Sequence, residues 1–156
     1  MFTDLAGSTG HLGRTGDRSW EATLEAHRAV VRKALARHRG REIDTAGDGF
    51  LAVFSLPSDA LRCAEEIRLG AAAQGLNIRA GLQAGEVNVQ PSGIFGVAVH
   101  LAASVAAHAK PGEVLLTETV QTLIMGSELP VEPAGEYRLK GIPGIWHIFR
   151  LRQPDR

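Results

Sequence analysis

The sequence predicts an α+β domain built on a mostly antiparallel sheet. Two observations point there. Apolar residues recur at helical spacing in several segments, and the β-prone runs between them are joined by hairpin chemistry as well as by helical crossovers. Composition adds the scale. At 156 residues, 44% apolar and 22% charged, the chain has the make-up of one globular domain, long enough to bury roughly 68–70% of its unfolded surface. Lys plus Arg and Asp plus Glu both number 17, which argues against nucleic acid or a membrane surface as a partner. The single cysteine, Cys63, excludes an internal disulfide framework and a multi-cysteine zinc site, and fits a reducing, cytoplasmic compartment. No apolar run approaches the roughly 18 residues of a membrane segment, and no signal peptide is legible.

Residues 1–5 read as a short apolar strand. Because the chain opens on what looks like the last part of that strand, a single domain over 1–156 is expected, truncated at its N-terminal strand and taken from something larger. Ala6-Gly7-Ser8-Thr9 reads as a small-residue turn. Asp17 is placed to cap a helix to about residue 38, with Trp20, Leu24, His27, Val31 and Leu35 on one face and Gly40 as the stop. Residues 42–45 and 50–54 form a hairpin about Ala46-Gly47-Asp48-Gly49. Pro57-Ser58-Asp59 opens a helix to about residue 74, with Ala60, Cys63, Ala64 and Ile67 inward. A strand is expected over 78–84, an ordinary loop over 85–95, and an Ala-rich helix over 97–109 that Pro111 closes. Residues 114–117 read as a buried strand and 118–125 as a short helix. A terminal strand pair over 137–139 and 146–151 is joined through Gly141-Ile142-Pro143-Gly144.

Two carboxylates stand out. Asp4 ends one strand and Asp48 lies in the turn of a hairpin. If the strands are neighbours, both acids meet at one sheet edge, where a hard divalent cation would take them together with phosphate oxygens. The turn beside Asp4 offers backbone N–H groups to an anion. Spacing alone equally allows two aspartates that simply suit turns.

Met1-Phe2-Thr3-Asp4-Leu5-Ala6-Gly7-Ser8-Thr9 and Gly40-Arg41-Glu42-Ile43-Asp44-Thr45-Ala46-Gly47-Asp48-Gly49-Phe50 resemble the catalytic domain of class III nucleotidyl cyclases. So do Ala80-Gly81-Leu82-Gln83-Ala84-Gly85-Glu86-Val87, Gly96-Val97-Ala98-Val99-His100-Leu101-Ala102-Ala103 and Leu139-Lys140-Gly141-Ile142-Pro143-Gly144. Five motifs in order cover nearly the whole chain, in the phrasing of the actinobacterial branch. The resemblance implies a ferredoxin-like βαββαβ core and a homodimer with two nucleoside triphosphate sites across its interface. It further implies two Mg²⁺ or Mn²⁺ ions held by Asp4, Asp48 and the Leu5 carbonyl, with Gly7, Ser8 and Thr9 cradling phosphates and Lys140 supplying a cation near them. The reaction it implies is attack of the ribose 3′-oxygen on the α-phosphate with release of pyrophosphate.

The resemblance also marks departures. The family's adenine-reading Lys and Asp fall on Asp44 and Gly93 here. A carboxylate accepts where adenine N1 needs a donor, whereas guanine offers N1–H and N2–H₂. An acid followed by a small residue is the guanylate-cyclase arrangement, so GTP is expected over ATP, with Phe95 stacking in the vacated space. The family's Asn-x-x-x-Arg transition-state pair reads His100 and Ser104, four residues apart on one helical face. Loss of the arginine removes a charge comparable with an arginine finger, worth about 10³–10⁵ in rate. Weak, Mn²⁺-favoured cyclase activity is one expectation. The other is a degenerate pseudo-cyclase, dimerising or sensing nucleotide on behalf of fused regulatory domains. Arg28, Arg32, Lys33, Arg37, Arg39 and Arg41 form a basic helix end, as suits a helix C-terminus. Neither a Walker loop, a dinucleotide glycine pattern nor a zinc-protease signature is present.

Overall fold

The computed structural model describes residues 1–154, apart from the side chains of His11 and Thr15. In chain order the elements are β1 (Phe2–Leu5), α1 (Ser8–Thr15), α2 (Asp17–Arg37), β2 (Arg41–Ala46), β3 (Gly49–Val53), α3 (Pro57–Ala73) and β4 (Ile78–Leu82). Then follow β5 (Asn88–Gln90), β6 (Gly93–Phe95), α4 (Val97–His108), β7 (Val114–Thr117), α5 (Glu118–Leu123), β8 (Val131–Tyr137) and β9 (Trp146–Leu151). Seven strands form one sheet in the order β2-β3-β1-β4-β7-β9-β8, while β5 and β6 make a separate hairpin. The first four strands of that order, with α2 and α3, are the ferredoxin-like βαββαβ core. Among the described residues only β4 and β7 pair in parallel, and α4 lies on the crossover between them.

The sheet's two faces are covered unequally. Alternation along β1 buries Met1, Thr3 and Leu5 and turns Phe2 and Asp4 the other way. The first face carries Phe50, Ala52, Ile78, Ala80, Val114 and Leu116 against α2 and α3, which contribute Val31, Ala34, Leu35, Leu61, Cys63 and Ile67. Each large apolar side chain so buried contributes about 1.5–3 kcal/mol. The second face is covered mainly by α4, through Leu101 and Val105 over Leu115 and Ile148. Gly81 permits this approach, since a Cβ there would stand 2.3 Å from the Ala106 nitrogen and 2.4 Å from the Ala102 oxygen. Toward β2 and β3 that cover thins, and residues of α4 there border a cavity with Leu51 and Val53. The β5–β6 hairpin leans there, and Val87, Val89, Phe95 and Val97 around it are exposed.

Several local expectations are corrected. Residues 6–9 are not all turn, because α1 begins at Ser8 behind Gly7, whose φ of 69° places it in the left-handed region. Asp17 is the first helical residue of α2 rather than its cap, which is Gly16. The left-handed residue after α2 is Arg39, at φ 59°, and its guanidinium bonds the buried Asp59 at 2.8 and 3.1 Å. Gly40 is needed instead for room, since a Cβ would stand 2.6 Å from the Phe54 ring. The strand expected to 84 ends at Leu82, and the 85–95 loop contains β5 and β6. The strand expected over 137–139 runs instead over Val131–Tyr137, disguised by Pro133 and Gly135. Both sit at a bulge on an edge strand, where a missing N–H does least harm.

Candidate functional site

Strand register assembles the first group of residues. Thr3 lies opposite Phe50 in the antiparallel β1–β3 pair. Asp4, one residue later, and Asp48, two residues before Phe50, therefore stand at the same end of that pair. The chain continues from Leu5 through Ala6 and Gly7 directly into α1, whose first turn has no side-chain cap and no acidic residue. Its open N–H groups make that end of the sheet favourable for an anion. Gly7, Ser8 and Thr9 thus lie beside Asp4, although Ser8 and Thr9 are helical. The Asp48 turn is anchored from α2, where Arg28 Nη2 donates to the Gly47 carbonyl at 2.8 Å.

Two residues at this end escaped the sequence reading. Arg79 on β4 is the direct cross-strand neighbour of Asp4. Its Nε donates to Asp4 Oδ1 at 2.8 Å and its Nη2 to Oδ2 at 2.9 Å. Only the β1–β4 pairing reveals this, because 75 residues separate the two. His27, read simply as an inward helix position, is fully buried, packs its ring edge-on to Phe50 at 6.3 Å, and has neither ring nitrogen partnered. Burial pushes its pKa below the usual histidine value, against an opposing pull from Asp48. Both aspartates offer hard oxygen donors, and each Asp4 oxygen keeps a lone pair beyond its Arg79 bond. That donor set fits a hard divalent cation such as Mg²⁺ or Mn²⁺.

The second group surrounds the thinly covered part of the sheet. Asp44, Gly93 and Phe95 line one cavity of about 420 Å³, together with Arg41, Leu51 and Gln90. A β-bulge aims Asp44 into it. Glu42 pairs with Ala52, but Asp44 pairs with Leu51 instead of Phe50, so one extra residue is taken up at Ile43. Residues opposite one another share a face. Asp44 therefore joins Leu51 on the cavity side, while an unbulged strand would have turned it toward α2. Glu42 stays with Arg32 and Thr45, whose bonds hold its carboxyl below the usual range.

His100 and Ser104 lie on one face of α4, with His100 exposed and Ser104 half-buried. The sheet-facing residues beside them are Leu101 and Val105, and Leu139 packs into the same cluster. That contact sets Lys140, exposed at a turn, next to α4 and over the β7–β9 part of the sheet. Within one chain the site residues thus divide in two. Asp4, Asp48, Gly7, Ser8, Thr9 and Arg79 share the end of β1, whereas Asp44 faces the cavity from β2 and Gly93, Phe95, His100, Ser104 and Lys140 belong to the β5–β6 hairpin, α4 and the turn after β8.

Residues 1–153 match the family described as Adenylate and Guanylate cyclase catalytic domain. Over 98% of its length the chain is 32% identical to a serine/threonine-protein kinase of Myxococcus xanthus, spanning 19% of that protein. Over its whole length it is 27% identical to putative adenylate cyclase 3 of Rhizobium meliloti, spanning 28% of it. The chain therefore covers well under a third of either relative. A solved structure described as adenylate/guanylate cyclase/hydrolase, from Silicibacter pomeroyi, superposes with a TM-score of 0.86 at 26% identity, covering 98% of this chain and 94% of that one. With the fold and the matched length in agreement, the chain belongs to the adenylate and guanylate cyclase catalytic domain family, class III.

Proposed function

We propose that the domain is a weak nucleotidyl cyclase that converts a nucleoside triphosphate, GTP in preference to ATP, into a cyclic nucleotide and pyrophosphate. One observation carries this reading: Asp4 and Asp48 stand at the same end of the β1–β3 pair, beside the open N-terminus of α1. Asp4, Asp48 and the Leu5 carbonyl would hold two divalent cations, Mn²⁺ or Mg²⁺. Bound there, the metal would lower the pKa of the ribose 3′-hydroxyl and offset charge on the phosphates. The N–H groups of Ser8 and Thr9 donate to phosphate oxygens, and the Arg79 guanidinium beside Asp4 adds a side-chain cation at the same end. The 3′-hydroxyl gives its proton to solvent water as its oxygen bonds the α-phosphorus, and the bond from that phosphorus to the departing pyrophosphate breaks. Asp44 accepts from guanine N1–H and N2–H₂, while Phe95 stacks on the ring. His100 and Lys140 are the remaining cationic candidates on the α4 side, and Ser104 adds no charge.

The division of these residues into two groups supports a homodimer. Leu139 is held over β7 and β9, two and three strands from β1, so roughly 10–14 Å of sheet separates the Lys140 segment from the Asp4 strand. A second copy with its α4 side against the first copy's β1 end would complete two sites, and the exposed apolar residues about the β5–β6 hairpin suit such a contact.

Mixing two inactive variants tests both points. Asp48→Ala and Lys140→Ala chains should each lose cyclic-nucleotide production with Mn²⁺. Together they should recover about a quarter of the original rate, because half of random dimers contain one intact site of two. Failure of the mixture, with dimers present, would sink the shared site. Asp44→Lys should reverse the base preference, since leaving a buried polar group unpaired costs about 1–3 kcal/mol.

A second reading, a catalytically degenerate module that binds nucleotide and regulates attached domains, is favoured by the absence of a cation at Ser104. Tight nucleotide binding with no cyclic product from either GTP or ATP, and no difference from Asp4→Ala, would select it.

A further inference from the structure

We propose that Gln90 is the side chain that meets the 6-position of the bound purine, standing in from across the hairpin for the side chain that Gly93 lacks, an inference that rests on the guanine-leaning reading above. In the β5–β6 hairpin Gln90 lies directly opposite Gly93, and Asn88 lies opposite Phe95. Opposed residues and their second neighbours along a strand share one face. Gln90 and Phe95 therefore flank the space above Gly93, and all three line the cavity that Asp44 enters. Gly93 is suited to remain bare. Its φ of +142° is one that L side chains rarely adopt, while nothing lies within 4 Å of where its Cβ would be. The space is open but the backbone resists filling it from position 93.

Chemistry then divides the base edge between the two polar groups. A carboxylate is acceptor-only, and a primary amide both donates and accepts. Guanine presents two adjacent donors, N1–H and N2–H₂, and the acceptor O6. Asp44 takes the donors, which leaves O6 needing a donor, and Gln90 Nε2 supplies it. Against adenine the amide turns over and accepts from the 6-amine through Oε1. Gln90 thus tolerates either purine, while Asp44, facing adenine N1 acceptor to acceptor, makes the choice. Two other donors border the cavity. Ser92 is at the hairpin tip, and Arg41 shares the face of Asp44 but lies three positions back along β2, roughly 10 Å away.

Binding of triphosphates that differ only in the base, made non-cyclisable by an α,β-methylene bridge, separates these roles by calorimetry on the full chain with Mn²⁺. Guanosine and inosine nucleotides both carry O6, the 2,6-diaminopurine nucleotide has an amine there, and inosine lacks the 2-amine. Gln90→Leu should weaken all three nucleotides, by about five- to tenfold each, because the amide it removes serves O6 and a 6-amine alike. Gln90→Glu, acceptor-only, should weaken the two O6 nucleotides more than tenfold and spare or strengthen the diaminopurine one. Asp44→Asn should instead narrow the difference between guanosine and inosine. Gln90 is exposed, so unchanged melting temperatures are expected. If Gln90→Leu weakens none of the three, or Gln90→Glu does not separate the O6 nucleotides from the diaminopurine one, while Asp44→Asn still weakens guanosine, Gln90 is not the reader and the guanine reading survives. If Arg41→Leu or Ser92→Ala produces the O6-selective loss, the assignment to Gln90 is overturned. If neither Gln90 nor Asp44 matters, or no triphosphate binds, the base-reading role of this cavity fails altogether.

Discussion

The end of β1 and the α4 side of the sheet are built in different ways. At the end of β1, Asp4 sits between two partner strands and Asp48 in a turn tied to α2 by Arg28, so the backbone positions rest on the main core. On the other side, Asp44 depends on a bulge, Gln90 and Phe95 on a two-stranded hairpin, and His100 and Ser104 on one helix seated over Gly81. The first region presents its acids from strand ends and a tight turn, while Gly93 and Ser104 bring no charge to the second. Positions fixed by the central strands leave little room for change. Positions on a hairpin and an outer helix face can be altered without disturbing the fold.

The largest expected effect lies at the β1 end. Asp4→Ala or Asp48→Ala should lower Mn²⁺-dependent cyclic-nucleotide formation by at least about 10³-fold. Product formation that survives either substitution would remove the central role of that end. Gly81→Ala should act on the other region through packing, since the added Cβ meets the α4 backbone at 2.3 Å. A loss of about 3 kcal/mol in urea unfolding is expected. Unchanged stability would mean that α4 is less firmly seated than the contrast requires.

Ser104→Arg should raise turnover about tenfold or more with little change in nucleotide affinity, by returning charge where it develops in the transition state. An unchanged rate in a folded dimer would place the defect elsewhere, with Asp44 and the hairpin the next suspects.

The smallest effect concerns the core beneath β1. Burial pushes the Cys63 thiol up to about 12 from an ordinary 9.0. Between those values the unfolded chain has lost a proton that the folded one keeps, so the folded state binds more protons and stability falls as pH rises. The slope reaches about 1.4 kcal/mol per pH unit. Cys63→Ala should remove that part of the slope in unfolding curves between pH 9 and 11, and a thiol reagent should label Cys63 only on unfolding. Rapid labelling of the native protein would show that this core opens readily.

The sequence by itself determined the class of fold, most helices and the β2–β3 hairpin, because these depend on signals carried within a few residues. Apolar spacing marked α2 and α3, Gly-Asp-Gly marked the turn, and Pro111 closed the Ala-rich helix. What depends on pairing between distant strands was decided by the tertiary structure alone. Asp4 meets Arg79 only because β1 pairs with β4, and His27 becomes a buried, unpartnered ring only beneath β3. Asp44 turns toward its cavity because β2 takes up one extra residue against β3, and strand alternation reverses a side chain's face with every such step. Gln90 acquires a role only when β5 folds against β6 and sets it over a glycine. No local window encodes such a register, since it is chosen by the partner strand and the core the pair must bury.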